Sequence, residues 1–360
     1  MRIVLSGYYG FGNAGDEAVL SAAVTELRRR LPEAELAALS ADPRATEDAH
    51  GVRAAQRWPP GPLWRAIASA DLMLSGGGSL LQDATSLRSL GYYLLTMELA
   101  RRAGVPYAIL SQGLGPLQSW LGRRLAGHYL RGAGAVTVRD QQSADLARTL
   151  GVPEALITVG ADPGLLLEPA SAGEARAILQ EAGAEVGRPL TGIVMREWRG
   201  AYQALPALAA IGRAAIEQWQ AGVVLLPFQV PADLEITHEL ASLLPHSAVV
   251  AEPLHPRALM AVIGQLEMVV AMRLHALVFA AAQAVPALGV AYDPKVAALC
   301  RAAEQACAPL EERQRLAELA EETWRSRESQ AEVRRRRAVE LRQRAARCFD
   351  VIERLCQELS

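Results

Sequence analysis

Short apolar runs alternate along this chain with longer amphipathic stretches. RIVLS, AELAALS, DLMLSGGG, PYAILSQG and AVTVRD read as strands, with helices predicted over Glu17–Arg30, near Tyr92–Ala103 and near Leu121–Arg131. Strands separated by helices are joined by right-handed crossovers, which gives a parallel sheet covered on both faces. Such strands are buried on both sides, so their runs are continuously apolar rather than alternating. The pattern pauses in ADPGLLLEPASAGEARAILQEAGAEVGRPL, rich in Ala, Gly and Pro, and a domain boundary is placed between Pro169 and Pro189. It resumes in LTGIVMREW, GVVLLPFQ, SAVVAEP, MVVAMRLHA and VPALGVAYD. The expected fold is therefore α/β, with two Rossmann-like parallel-sheet domains facing a cleft. Residues 1–170 form the first domain and 188–325 the second. After Asp293 the chain is expected to be helical and highly charged, closing with an amphipathic Arg-rich helix over 326–360 that turns Val333, Leu341, Phe349, Ile352 and Leu355 inward.

Composition supports two cores: the chain has 360 residues, of which 51% are hydrophobic. A net charge of −2 lacks the basic excess of a dedicated nucleic-acid binder, so no nucleic-acid partner is expected. The first apolar run breaks at glycine too early for a signal peptide, and no segment has the roughly 18 apolar residues of a membrane span. Cys300, Cys307, Cys348 and Cys356 form no CxxC pair, and His128, His238, His246 and His255 are dispersed, so neither a metal nor a bound cofactor is expected and the thiols fit a reducing cytoplasm. The GxSxG nucleophile elbow is absent. The C-terminal Arg run reads as a solvated face, with contact to anionic lipid as the alternative.

The stretch SGYYGFGNAGDEAVL holds Gly10-x-Gly12-x-x-Gly15, the spacing of a dinucleotide-binding turn. Three features oppose that reading. GYY separates the apolar run from Gly10. Asp42 is a late candidate for the ribose contact. Asp16 and Glu17 stand at the helix N-terminus, where a pyrophosphate would lie. The dipole there favours an ionised Asp16, suited to a base or a binder of sugar hydroxyls; equally, acidic residues are common in any first helical turn. Asn13 and Gly15 are candidate binding positions in the same loop.

Other chemistry-bearing residues cluster at strand ends, where open α/β sheets bind ligands. SGGGSLLQD offers Gly77 and Gly78, TVRD offers Arg139, MREW offers Arg196, LPFQ offers Gln229, MRLHA offers Arg273 and His275, and AYDPK offers Lys295. Guanidinium forks and an ammonium suit a small, multiply charged anion; the opposing reading is that each cation pairs with a neighbouring carboxylate, as Arg139 can with Asp140. Histidine side chains in general can give and take protons near neutral pH, which makes His275 a candidate, although a histidine in an apolar segment is commonly a core residue.

Taken in order, LSGYYGFGNAGDEAVL, SGGGSLLQD, SQGLGP, TVRDQQS, GADPGLLL, MREW, LPFQ, MRLHALVFAAAQAVP and AYDPKV resemble the polysaccharide pyruvyl transferases, over Met1 to about Lys295. The closest likeness is to the branch that modifies secondary cell-wall polysaccharide for S-layer anchoring. The resemblance implies a glycosyltransferase-B-like fold, phosphoenolpyruvate as co-substrate, and a cyclic pyruvate ketal plus phosphate as products. It implies N-acetylmannosamine as acceptor sugar, on a lipid-linked precursor at the inner face of the plasma membrane. The family's functional residues fall on Asp16, Arg139, His275 and Lys295, with Arg273 beside them. His275, Asp16 and Arg139 are thus the expected catalytic residues. Arg273, Lys295, Asn13, Gly15, Gly77, Gly78, Arg196 and Gln229 are the expected substrate-binding ones. Two alternatives stand beside this: a glycosyltransferase using a nucleotide sugar, and a non-catalytic two-lobed anion-binding module. The sequence leaves the oligomeric state open.

Overall fold

Apolar runs that cannot be solvated on either face pair with one another and are roofed by the amphipathic segments between them. The computed structural model describes residues 1–84, 87–198 and 200–359. In chain order the first half forms β1 (Arg2–Tyr9), α1 (Ala14–Arg30), β2 (Glu35–Ser40), α2 (Pro43–His50), β3 (Arg53–Gln56), α3 (Pro60–Ala68), β4 (Leu72–Gly76), α4 (Leu87–Arg102), β5 (Tyr107–Gln112), α5 (Trp120–Arg131), β6 (Val136–Val138), α6 (Gln141–Thr149) and β7 (Ile157–Val159). The second half forms α7 (Ala172–Glu181), β8 (Leu190–Val194), α8 (Leu205–Glu217), β9 (Gly222–Leu225), α9 (Leu234–Ser242), β10 (Ala248–Val249), α10 (Pro256–Ile263), β11 (Met268–Ala271), α11 (Leu274–Ala282), β12 (Ala287–Ala291), α12 (Pro294–Ala303), β13 (Ala306–Pro309), α13 (Arg313–Arg325) and α14 (Ala331–Leu359).

All strand pairs are parallel. The first sheet has the order β3-β2-β1-β4-β5-β6-β7 and the second β10-β9-β8-β11-β12-β13. Each order reverses once, between β1 and β4 in the first sheet and between β8 and β11 in the second. Those reversals are where a doubly wound sheet opens a crevice at its carboxyl edge. Register is continuous at both, from Ile3 opposite Leu72 to Ser6 opposite Ser75, and from Thr191 opposite Met268 to Val194 opposite Ala271.

By contacts the chain divides into two units: 1–11, 16–167 and 342–360 in the first, 12–15 and 168–341 in the second. One face of the first sheet carries α3, α4, α5 and α6, through Leu63, Tyr93, Met97, Leu130 and Ala147. The other face is covered by α1 and the second part of α14, through Leu20, Val24, Phe349 and Ile352. In the second unit α8, α9 and α13 bury Leu208, Leu240 and Trp324, and Trp324 stacks on Trp219 at 4.9 Å.

Four features depart from the expectations above. β3, β7 and β13 are edge strands that the pattern did not reveal; RAAQ, ITV and ACAP are only three or four residues long and only partly covered. β1 continues to Tyr9, with a register shift between Ser6 and Tyr9, so Gly10 does stand at a strand end. The extension folds Tyr9 over Gly7, where a Cβ would lie 2.2 Å from the ring, and the Tyr9 hydroxyl donates to the Gly76 carbonyl at 2.9 Å. Third, α14 buries Leu341, Phe349 and Ile352 as expected, but Val333 faces outward. Finally, the Arg run is not simply solvated. Arg334 and Arg337 donate to the carbonyls of Ala284 and Ala302 at the ends of α11 and α12, and Arg344 donates to Gly160. Cations at helix C-termini satisfy orphan carbonyls and meet the negative dipole end.

Candidate functional site

The glycine loop is built for close packing. Gly10 and Gly12 have φ of +77° and +68°, which side chains resist. Glu17 does not face outward as a repelling charge. One of its oxygens accepts the Gly10 N–H at 2.8 Å and the other meets Nε2 of buried His50 at 2.9 Å. Asp42, the ribose candidate, instead caps α2 by accepting the Ala45 N–H. Asp16 faces the loop after β4: a Cβ on Gly78 would lie 2.9 Å from its carboxylate, and one on Gly77 would lie 2.0 Å from Val19. Both glycines have positive φ, so the tight turn and the close approach of α1 demand glycine together. Burial first, then the charges of Asp16 and Glu17, push the Tyr9 phenol well above its ordinary pKa, keeping it a hydrogen-bond donor.

Arg139 follows β6 and is almost fully buried. Its guanidinium lies against Gly113, where a Cβ would come within 2.6 Å. Nη2 donates to Ser79 at 2.9 Å, Nε to Asp140 at 3.4 Å, and Nη1 lies 3.5 Å from buried Asp162. The Asp140 carboxylate also caps α6 through the Ser143 N–H and hydroxyl. The expected cation is thus present at the carboxyl edge, and it is paired with carboxylates, Asp140 among them, as the opposing reading of the sequence has it.

The second unit has its own cluster. Arg273 stands at the start of α11 and Asp233 at the start of α9. Asp233 is fully buried and accepts from Arg273 Nε and Nη2, and from the N–H groups of Glu197, Phe228 and Gln229. It ties together the loops after β8, β9 and β11. Gln229 Oε1 accepts from Arg273 Nη2 at 3.3 Å. Arg196 hydrogen-bonds the Tyr292 hydroxyl and lies over that ring, with its guanidinium carbon 5.4 Å from the centroid. Lys295 Nζ lies 3.2 Å from Asp293, which caps α12.

Residues 12–15 pack on this second cluster. Asn13 bridges Gln229 in antiparallel fashion, and the Ala14 N–H donates to the Phe228 carbonyl at 2.9 Å. Asn13 Oδ1 accepts the Gly15 N–H at 3.1 Å. A Cβ on Gly15 would fall 2.1 Å from Nδ1 of His275. The third glycine of the fingerprint therefore makes room for an imidazole. Its chain neighbour is Asp16.

Every candidate residue lies at or just beyond the carboxyl end of a strand or in the glycine loop. What the sequence reading missed are the organising carboxylates, Asp233 and Asp162, together with Ser79. Asp162 sits in GADPG, and an Asp before Pro is a capping signal; its carboxylate accepts the Gly164 N–H. Asp233 offers no local signal, because Arg273 is forty residues away in sequence. Among the described residues no group of three or more His, Cys, Asp or Glu is arranged to hold a metal ion.

Solved structures with the same two-sheet α/β fold include UDP-N-acetylglucosamine 2-epimerases and a protein solved with UDP and glucose. UDP-N-acetylglucosamine 2-epimerase from Neisseria meningitidis, bound to UDP-GlcNAc, is 11% identical, covers 99% of this chain and 100% of its own, and has a TM-score of 0.67. A putative UDP-N-acetylglucosamine 2-epimerase from Listeria monocytogenes is 11% identical, with 93% and 90% coverage and a TM-score of 0.67. Anabaena HepE in complex with UDP and glucose is 15% identical, with 100% and 99% coverage and a TM-score of 0.63. At such identities the likeness defines the class of fold, that of the glycosyltransferase-B group. A direct sequence comparison with curated proteins finds no match. The family model for polysaccharide pyruvyl transferase matches residues 13–294, and the chain belongs to that family.

Proposed function

We propose that this chain transfers the pyruvyl group of phosphoenolpyruvate to a sugar of a cell-wall polysaccharide precursor, forming a cyclic ketal and releasing phosphate. The observation that carries the reading is the family match over residues 13–294. The proposed acceptor is N-acetylmannosamine on a lipid-linked precursor, with the enzyme acting in the cytoplasm at the inner membrane face. Phosphoenolpyruvate enters as co-substrate, and the counter-charge comes from arginine and lysine rather than a metal.

The chemistry asks for few groups. Protonation of C3 makes C2 of the enol ester oxocarbenium-like. One sugar hydroxyl adds to C2 and loses its proton, the C2–O bond to phosphate breaks, and a second hydroxyl closes the ring. Over the reaction one hydroxyl proton is balanced by the methyl proton gained at C3, and the other leaves with phosphate or solvent. In this reading His275 moves the proton and Asp16 orients or deprotonates a hydroxyl, each acting by general acid–base catalysis worth about 10²–10⁴-fold. Arg139 and Lys295 meet the carboxylate and phosphate, and their carboxylate partners hold them ready, so no reorganisation is needed as charge develops. Arg196 and Gln229, beyond β8 and β9 of the second unit, are assigned to substrate binding.

The role of Arg273 changes from the one expected of it. Its Nε and Nη2 are engaged by buried Asp233, so we assign it as a positioning residue that fixes the loop bearing His275 rather than as an anion clamp. Gly15, Gly77 and Gly78 act by shape: they admit His275, Val19 and Asp16.

The test is mass spectrometry of a sugar acceptor after incubation with phosphoenolpyruvate, with phosphate measured in parallel. The expected result is a pyruvate ketal and one phosphate per acceptor; His275→Ala should slow turnover by about 10²–10⁴-fold. No transfer to any hexosamine acceptor would overturn the reading. A second reading, a nucleotide-sugar enzyme, is favoured by the UDP-GlcNAc bound to the Neisseria protein and the UDP and glucose bound to the Anabaena one. Thermal shift by UDP- or GDP-sugars and none by phosphoenolpyruvate would select it.

A further inference from the structure

Half of the large apolar side chains exposed on the described residues belong to one stretch of the first unit, from Trp58 to Leu125. This stretch holds α3, α4 and α5, which lie side by side on one face of the first sheet. The most exposed of them stand at or just before the first turn of each helix. Trp58 precedes α3 and is 61% exposed, Leu87 opens α4 at 59%, and Trp120 and Leu121 open α5 at 73% and 44%. Each helix follows a strand of a parallel sheet, so all three N-termini stand at the carboxyl edge. The candidate residues Asp16, Gly78 and Arg139 lie at that same edge. Single exposed leucines need no explanation, but two strongly exposed tryptophans at one edge of the sheet do.

Charge selects the occupant. Neither α3 nor α5 contains an acidic residue. Arg65, Arg88, Arg123 and Arg124 are exposed on α3, α4 and α5. The one carboxylate on α4, Glu98, is taken by Arg101 and Arg102 in the last turn, away from the rim. At the rim itself, Asp83 accepts from the Gln118 N–H, the Ser119 N–H and the Ser119 hydroxyl, and so fixes the segment that presents Trp120. A second copy of this face would meet it with the same sign of charge. Tryptophan and leucine at the tip, with arginines behind, match an anionic bilayer: the indoles sit at headgroup depth and the guanidiniums meet phosphate. No helix of the described residues is long and apolar enough to cross a membrane.

We propose that the rim formed by Trp58, Leu87, Trp120 and Leu121, backed by Arg88, Arg123 and Arg124, docks this protein on an anionic phospholipid surface. The inference deepens the pyruvyl-transfer reading, on which it rests for its purpose: it sets the acceptor-binding edge against the bilayer that carries a lipid-linked sugar. It also moves the membrane contact away from the Arg run of α14, part of which is spent on helix ends.

The test uses the full chain, sedimented with vesicles of phosphatidylglycerol mixed with phosphatidylcholine and with vesicles of phosphatidylcholine alone. The expected result is binding to the mixed vesicles only, weakened about tenfold or more by Trp120→Ser with Leu121→Ser, and by Arg123→Glu with Arg124→Glu. Turnover with a short water-soluble acceptor should be unchanged in both variants, which shows that they fold. Absence of wild-type binding, or full binding by both variants, overturns the proposal. So does wild-type dimerisation in light scattering that the Trp120 variant abolishes, because the rim is then an interface between copies. Vesicle binding without ketal formation keeps the surface and defeats the pyruvyl-transfer reading; ketal formation without vesicle binding does the reverse.

Discussion

Replacing Arg273 with Met separates the two roles open to that residue. Arg273 is 8% exposed and Asp233 0%, and the guanidinium supplies two of the five hydrogen bonds that the carboxylate accepts. Methionine keeps most of the side-chain volume and removes the charge. Asp233 is then left buried with three backbone donors and no counter-ion. Removing one partner from a buried ion pair costs about 3–5 kcal/mol, against a domain stability of about 5–15 kcal/mol. The loss should concentrate where Asp233 ties loops together, after β8, β9 and β11. The assay is amide hydrogen exchange, region by region, alongside urea unfolding; two units make a single transition a poor summary. The expected outcome is faster exchange in β8, β9 and α11, an earlier urea midpoint, and lower kcat through a displaced His275. Wild-type exchange and midpoint, combined with a raised KM for phosphoenolpyruvate, would refute this reasoning and make Arg273 a substrate contact.

Three further outcomes follow from the geometry. Gly15→Ala puts a methyl 2.1 Å from Nδ1 of His275, so the ring must move and kcat should fall by about 10²-fold with the fold retained, as read by steady-state kinetics and circular dichroism. Burial raises the Asp83 pKa, but hydrogen bonds from Ser119 and Gln118 outweigh it and hold the carboxyl below its ordinary value. A depressed pKa stabilises the fold above the unfolded-state value and loses that contribution as pH falls through the folded-state value. The melting-temperature gap between wild type and Asp83→Asn should therefore be present at neutral pH and close in acid; a gap that widens in acid would contradict the assignment. Turnover should survive dialysis against EDTA, and loss restored by a divalent cation would refute the arginine–lysine counter-charge.

Much of the architecture was legible in the chain because buried parallel strands are uniformly apolar and each is followed by a polar or glycine-rich turn. That pattern located β1, β2, β4, β5, β6, β8, β9, β10, β11 and β12, and with them the strand ends on which Asp16, Arg139, Arg196, Arg273, His275 and Lys295 fall. Three edge strands escaped it: RAAQ, ITV and ACAP are too short and too little covered to leave a mark, whereas β10, also at an edge, was visible in SAVVAEP. The start of the glycine loop was misjudged, because a β-bulge carries the strand through two tyrosines that look like loop.

Sequence alone thus determined the two parallel-sheet domains, the family and the residue types available for chemistry, since these depend on local periodicity and on ordered motifs. Tertiary structure decided what each of those residues faces. Two carboxylates adjacent in the chain diverge, Glu17 to Gly10 and His50 and Asp16 to Gly78, because successive helix positions point about 100° apart. Arg273 meets Asp233, and Gly15 meets His275, across separations that no local pattern encodes. The partner that holds a buried charge is set by packing, and packing is not written in any one segment.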